Sequence, residues 1–213
     1  MPLGGHNLFS SLHKNIPSIA NCHVACFPNS LSGKLGLKYV IKTFEWFLAE
    51  NNRFLFHIEN EGKVVGYCGG FISRGLGDGS SSGMLQHAFK EAVIGIIKKP
   101  WLAFHPEVRA MYPFVFRNVQ NFFSTKKKSF IPAQENQGKL SGLVVIGVHP
   151  QYRGTGIFDG LMLHFFEESK RLGAIGSKLS VKRTNARGIN AYKKFDWEII
   201  EEHDKTIVLK KTF

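Results

Sequence analysis

Val148-His149-Pro150-Gln151-Tyr152-Arg153-Gly154-Thr155-Gly156 is the stretch that decides how this 213-residue chain folds. It follows the continuous apolar run Leu143-Val144-Val145-Ile146-Gly147-Val148, which has the length of a strand buried on both faces. His149-Pro150 ends that strand. From 154 to 172, Ile157, Leu161, Phe165 and Leu172 share one stripe while Glu167, Glu168, Lys170 and Arg171 lie elsewhere, the pattern of an amphipathic helix. Gly173 supplies its C-terminal stop. A strand that runs into a helix start leaves successive backbone N–H groups without helical partners. The helix dipole adds roughly half a positive charge at that point. Gly154 and Gly156 lack the Cβ that would hold a bulky anion off the backbone. The expectation is a diphosphate cradle at 153–156, with Arg153 adding a charge-assisted contact.

Two other phosphate loops do not fit. A dinucleotide fingerprint G-x-G-x-x-G needs its third glycine at 159, and Gly160 comes one position late. A Walker-type loop needs Gly-Lys-Ser/Thr, which is absent. The plainer reading, that two glycines merely turn the chain into a helix, stands until a second signal joins the first.

Outward from this segment the chain alternates between helix and strand signals. Residues 16–27 are apolar and helical, stopped at Phe27-Pro28. Leu37, Val40, Ile41, Phe44, Phe47 and Leu48 recur at helical spacing up to about Glu50. Strands are expected at 54–58 and 64–71, joined by Asn60-Glu61-Gly62, with Gly where positive φ is needed. Downstream, 175–181 reads as a strand, 185–194 as a short helix with Asn185 as N-cap, and 198–202 with 206–210 as a closing hairpin. The region 73–139 is a helical insert. It opens with a Gly/Ser-rich loop, continues with a helix placing Leu85, Phe89, Val93 and Ile96 on one face, and stops at Pro100. A further helical stretch carries Val108, Met111, Val115, Val119 and Phe122, with Pro113 breaking or restarting it, before the polar loop 126–139 with three consecutive lysines.

Composition bounds the classes. Hydrophobic residues at 43% and charged residues at 21% are ordinary for a soluble globular chain, which argues against disorder. No apolar run nears 18 residues, and the N-terminus has no basic stretch before an apolar core, so neither a spanning helix nor a secretory signal is expected. Cys22, Cys26 and Cys68 make no metal pattern and read as buried free thiols in a reducing cytoplasm. The net charge of +12 implies an anionic partner without naming it.

The second signal lies about thirty residues after the glycines. Gln151-x-x-Gly154-x-Gly156 resembles the acetyl-CoA motif of the GNAT superfamily of acyl-CoA N-acyltransferases, in its usual place after an apolar strand. The stretch from Asn185 to Trp197 resembles the family's second motif: Asn, a small residue three later, Tyr seven later, and usually Gly-Phe at the close. Asn185, Gly188, Ile189 and Tyr192 fit it. Asp196-Trp197 stands for Gly-Phe, and Gly188 stands where Ala is common. The motif resemblance covers 143–210.

That resemblance implies an α/β fold: a GNAT-like mixed central sheet flanked by helices, one domain over 1–213, with the helical insert at about 73–139 between the third strand and the motif strand. The parallel strands 143–148 and 175–181 would splay apart. Pantetheine would pair with the backbone of Ile146 and Val148, and the pyrophosphate would rest on the N–H groups of Arg153, Gly154, Thr155 and Gly156, after Gln151. The N–H of Val148 would stabilise the thioester oxyanion. Asn185 would bind pantetheine, cap its helix, or do both. Lys182 and Arg187 are candidates for the 3′-phosphate. Tyr192 is the catalytic candidate, a general acid toward the departing thiolate; the other reading is that it packs on pantetheine or hydrogen-bonds the sulfur without transfer. No metal is implied. The strand 143–148 lacks the acid many relatives carry, leaving His149, Glu202, His203, Asp204 or a water chain as base.

The implied activity is acetyl transfer from acetyl-CoA to a primary amine of a small molecule, by direct attack in a ternary complex, in the cytoplasm. The acceptor site would lie near 27–36 and 203–205. The chain is also similar in overall look to acetyltransferases of amino sugars. The aromatic insert has four readings: core packing, a lid over the acceptor pocket, an oligomer interface such as a homodimer, or contact with a membrane surface. Nucleic acid is not the expected partner, since the basic residues are scattered and no recognition motif stands out. A nucleic-acid module and a non-catalytic coenzyme-binding protein are the competing classes.

Overall fold

The computed structural model describes residues 7–73, 80–109 and 139–213. Seven strands form one mixed sheet: β1 Asn7–Ser10, β2 Arg53–Asn60, β3 Lys63–Ile72, β4 Leu140–Val148, β5 Gly176–Lys182, β6 Glu198–Glu202 and β7 Thr206–Thr212. Their order is β1-β2-β3-β4-β5-β7-β6, and only β4 and β5 run parallel. The β2–β3 turn puts Glu61 and Gly62 both at positive φ, the conformation that matches a right-twisted hairpin. β1 is a finding beyond the sequence reading. Its four residues pair with β2 and are largely exposed, so no apolar alternation announced it.

Helices cover both faces. On one side α1 Ile16–Cys26, α2 Leu31–Leu35 and α3 Leu37–Glu45 pack with Trp46, Phe47 and Tyr67 into one core. On the other side α6 Ile157–Arg171 lays Ile157, Leu161, Met162 and Phe165 on Phe56, Ile58, Val65 and Leu209. Short α7 Ala186–Lys193 joins this second core through Ile189. Residues at i, i+4 and i+8 of α6 point the same way, which is why one sequence stripe becomes one buried face.

The insert departs from expectation where it is described. One helix with an apolar face through Leu85, Phe89, Val93 and Ile96 is instead two, α4 Ser80–His87 and α5 Phe89–Lys98, broken at Ala88. Phe89 and Val93 face solvent at 50% and 38% exposure, while Ala88 and Gly95 are buried. Ile96 packs against the core as expected, but beside it Gly95 takes the inward side where the space is tight: a Cβ there would lie 2.9 Å from Leu35 Cδ2. Val108, from the further helical stretch, is buried, whereas Met111, Pro113, Val115, Val119, Phe122 and the lysine run lie outside the described residues. Among the described residues no helix is long and apolar enough to cross a membrane.

A second correction concerns β4. Leu143 is buried, but Val144, Val145 and Ile146 are only half-buried. The strand is not covered on both faces along its length, because its neighbour leaves it.

Candidate active site

β4 and β5 pair over three registers only, from Leu140↔Gly176 to Gly142↔Lys178. At that closed end the Ser141 and Ser177 hydroxyls are hydrogen-bonded. β5 then follows β7 as far as Lys182↔Thr206, while β4 follows β3 as far as Val148↔Gly66. The parallel pair therefore opens like a fork. On the β3 side, His149 donates its N–H to Val65 O at 2.8 Å. Antiparallel partners alternate between bonded and non-bonded pairs. Ile146 opposite Cys68 and Val148 opposite Gly66 are the non-bonded kind, so their N–H and C=O groups turn toward the opening. The opening is a cleft of about 410 Å³ whose walls include Ile146, Val148, Gly156 and Tyr192.

The loop after β4 forms the rim. Gly154 and Gly156 have φ of +84° and +85°, in the left-handed region that a side chain resists. This is also why α6 begins at Ile157 and not at 154. With Gly156 at the N-cap and no side chain capping it, the first N–H groups of α6 have no side-chain cap. Arg153 lines the cleft but bends back into the protein: Nε donates to Val148 O at 3.3 Å and Nη2 to Cys26 O at 3.2 Å. Its guanidinium is engaged with carbonyls, in place of the free phosphate contact expected. Gln151 and Thr155 are not among the cleft residues. Gln151 lines a separate hollow of about 430 Å³ with Cys22, His149 and Tyr152. Thr155 donates its hydroxyl to Tyr152 O at 2.6 Å, closing the turn.

The opposite wall comes from α7. Asn185 caps it, its Oδ1 accepting the Gly188 N–H at 3.0 Å. The cap explains the glycine at 188: a Cβ there would lie 2.5 Å from Asn185 Nδ2. Asn185 and Gly188 both line the cleft. Two turns on, Tyr192 packs its ring against Phe158 and Trp197, with centroids 6.0 and 6.1 Å away. Burial pushes its phenol well above the usual tyrosine range, and the Cys68 thiol adds to that.

Ile146, Val148, Arg153, Gly154, Gly156, Asn185 and Tyr192 are thus brought to one cleft. Arg187 joins them, while Lys182 pairs with Glu107 instead. The candidate bases lie elsewhere. His149 faces the second hollow, and its Nδ1 is buried without a hydrogen-bond partner among the described residues. Glu202 pairs with Arg183 at 2.7 Å, His203 approaches Glu201 at 3.5 Å, and Asp204, like both, is absent from the cleft lining. Sequence reasoning missed Cys26, Phe158, Asp159 and Lys194, all lining residues, whereas Phe27, the first residue of the loop expected at the acceptor site, does line the cleft. Phe158 and Asp159 were findable as the first turn of the motif helix. Cys26 comes from the end of α1, more than a hundred residues away, and carried no local signal. Arg153, Arg187 and Lys194 against Asp159 leave the lining net positive, which suits a polyphosphate.

Solved N-acetyltransferases share this architecture from end to end. The PaiA N-acetyltransferase of Thermoplasma acidophilum, solved with coenzyme A, matches with a TM-score of 0.57 at 10% identity, over 98% of this chain and 99% of that one. NAA60 of Arabidopsis thaliana, solved with acetyl-CoA, gives 0.58 at 13% identity, over 98% of each chain. An acetyltransferase of the GNAT family from Streptococcus pneumoniae gives 0.56 at 9%, over 98% of this chain and 99% of that one. No protein-family model matches the sequence, and no curated protein matches it. At these identities the likeness is one of fold.

Proposed function

We propose that this chain, whose fold is that of the GNAT acetyltransferases, is an acetyl-CoA-dependent N-acetyltransferase that takes its coenzyme between β4 and β5. One observation carries the reading: the parallel pair comes apart after Gly142 and turns the backbone of Ile146 and Val148 into a cleft rimmed by two positive-φ glycines. An extended pantetheine arm fits such an edge as an added strand. Arg153 already occupies the Val148 carbonyl, so the Val148 N–H is the group left to face the thioester oxygen. A donor fixed in that place stabilises charge that develops there during attack. The pyrophosphate belongs on the backbone at 153–156 and the start of α6, and Arg187 and Lys194 supply charge at the outer wall.

Tyr192 stands on the facing wall as the proton donor. Burial keeps its phenol protonated. A phenol held that high donates a hydrogen bond to a forming thiolate, while full transfer to a thiolate of ordinary pKa is uphill. Its role is therefore to stabilise the leaving sulfur by that hydrogen bond, and the departing thiolate takes its proton from solvent. Asp159 and Cys26 are acidic groups in the lining but neither has a geometry that names it as base, so water serves the amine in this reading.

The acceptor we favour is a primary amine on a small molecule, an amino sugar among them, attacking directly in a ternary complex. The test is calorimetric titration with acetyl-CoA, with 3′-dephospho and nucleotide-only analogues as controls, followed by thiol release with amino sugars, polyamines and peptides as acceptors. Binding that is lost on Gly154→Glu supports the cleft assignment. Turnover with peptides alone would replace the small amine by a protein terminus. No binding of any acyl-CoA would sink the reading and bring nucleic acid, the other partner of a +12 chain, forward.

A further inference from the structure

Cys26 ends α1 and lines the cleft beside Val148; the Arg153 guanidinium ties the two carbonyls together. One turn earlier, Cys22 lines the second hollow, and its Sγ is 4.0 Å from Cys26 Sγ. The pair thus bridges two openings on either side of the end of β4. Cys68, by contrast, is fully buried and lines neither. Cys26 is buried at 6% exposure but is among the residues lining the cleft, which makes the cleft the approach open to a reagent. We propose that Cys26 is a site of reversible thiol–disulfide exchange with coenzyme A, with Cys22 as the resolving thiol. The proposal rests on the coenzyme reading above, because it is the pantetheine sulfur that the cleft would carry to Val148 and hence to Cys26.

The chemistry is set up asymmetrically. The two sulfurs share a hydrogen bond and the Arg153 charge lies beside Cys26, so Cys26 is held below the usual thiol range. The same hydrogen bond drives Cys22 upward. The thiolate is the nucleophile in exchange, so Cys26 attacks first. With coenzyme A disulfide as oxidant, the Cys26 thiolate forms a bond to one of its sulfurs. The old S–S bond breaks, and the departing coenzyme A thiolate takes a proton from solvent. Once its sulfur is in a disulfide, Cys26 no longer holds the Cys22 proton. Cys22 then loses that proton to solvent and attacks Cys26 Sγ, forming the Cys22–Cys26 bond and releasing the second coenzyme A thiol. In sum, two protein thiols are oxidised by two electrons and one coenzyme A disulfide is reduced to two thiols.

Residues four apart on a helix have Cβ atoms about 5–6 Å apart, and a disulfide wants about 3.5–4.5 Å. Closure must tighten the last turn of α1, which is where Cys26 sits and where a helix yields most easily. Tightening moves the Cys26 carbonyl off Arg153 and disturbs the rim of the cleft. The bridge is therefore a shut-off of coenzyme binding that a dithiol reductant reverses.

The experiment treats the reduced full-length protein with coenzyme A disulfide or with oxidised glutathione, quenches in acid at intervals, and weighs intact protein and peptides. Wild type is expected to finish two hydrogens lighter, with Cys22 joined to Cys26. Cys22→Ser is expected to retain one coenzyme A on Cys26, and Cys26→Ser to retain none. Binding in the cleft makes coenzyme A disulfide at least about tenfold faster than glutathione disulfide, an advantage that saturating desulfo-coenzyme A removes. Equal rates, labelling of Cys68, or no adduct overturn the proposal. Titration with desulfo-coenzyme A separates the two failures: binding without adduct leaves the coenzyme cleft standing and removes the cysteine chemistry, and no binding removes both. If Cys22→Ser fails to fold, early acid quenching of wild type traps the same mixed disulfide on Cys26, and its absence there overturns the proposal equally.

Discussion

Arg153 Nη2 donates to the Cys26 carbonyl oxygen across 3.2 Å, joining the loop after β4 to the last turn of α1. The contact couples two walls of the cleft that are 127 residues apart in sequence. It also means that the arginine most readily assigned to phosphate is a structural tie. Phosphate binding at this rim then falls to backbone N–H groups and to Arg187 and Lys194 on the far wall.

Gln151→Ala should leave coenzyme affinity within about twofold of wild type, as for a surface substitution away from the site. Gln151 is exposed and faces the other hollow. Arg153→Ala should lower the melting temperature and weaken coenzyme binding together, because it loosens the rim. Paired titrations and thermal melts of the two variants check this. A large loss of affinity in Gln151→Ala would return it to the coenzyme site.

Gly154→Val tests backbone strain apart from collision. Among the described residues, its two chain neighbours apart, no heavy atom lies within 4 Å of a Cβ built on Gly154. The φ of +84° is nonetheless hostile to a β-branched residue, at a cost of roughly 1–2 kcal/mol or more. The loop should relax out of its donor-presenting shape, with coenzyme Kd raised about tenfold or more. Calorimetry on the variant decides it; unchanged affinity would mean the cradle does not depend on this conformation.

Asn185 carries two separable roles. Asn185→Ala removes the α7 cap and should cost about 1 kcal/mol of stability. Asn185→Asp keeps the cap and should melt close to wild type, yet weaken coenzyme binding by setting an anion in a cleft meant for phosphates. Melts with and without acetyl-CoA distinguish the two, and an Asp variant that binds as tightly as wild type would reduce Asn185 to a cap alone.

Tyr192→Phe should lower kcat by about 10²–10³-fold with little change in coenzyme Kd. The phenol must keep its proton to act, and activity governed by it falls as pH rises through its pKa. Burial moves that pKa upward, so no alkaline limb from Tyr192 should appear within the ordinary tyrosine range. A pH–rate profile of wild type and variant shows whether a limb disappears with the hydroxyl.

His23 should make the fold acid-sensitive. Its Nδ1 lies 2.6 Å from the Tyr67 hydroxyl and its Nε2 2.9 Å from Ser32 Oγ. Burial lowers its pKa from 6.5 to about 4. The unfolded chain thus binds the extra proton between those values. Stability from the neutral imidazole is complete above about pH 6.5 and drains away as pH falls toward 4, on the order of 3 kcal/mol in all. Urea unfolding at pH 7 and at pH 4.5 measures it. His23→Gln should flatten the difference, leaving what His57, also lowered by burial, contributes in the same direction.

The strand, loop and helix around 148–172 were legible because their signals are local. Apolar runs and stripes say which residues leave water, and glycines at 154 and 156 mark where an anion can approach the backbone closely. The Asn185 cap was legible for the same reason, its partner Gly188 lying three residues on. Other features depend on which distant segment arrives. Whether Val144–Ile146 would be covered depended on β5 departing after Gly142. On α5 the tight space beside Leu35 went to Gly95, so that Phe89 and Val93 turned outward while Ile96 kept the expected inward side. Gln151 and Thr155 share a motif with Gly154 but not its cleft, because successive loop residues face different sides of the end of β4. Cys26 reached the site only through the docking of α1. Sequence by itself determined the elements around the motif and the place of the two glycines, through periodicity and the missing Cβ. Tertiary structure decided which backbone donors stay unpaired and which thiol stands beside them, since an N–H is left open only where a neighbouring strand has turned away.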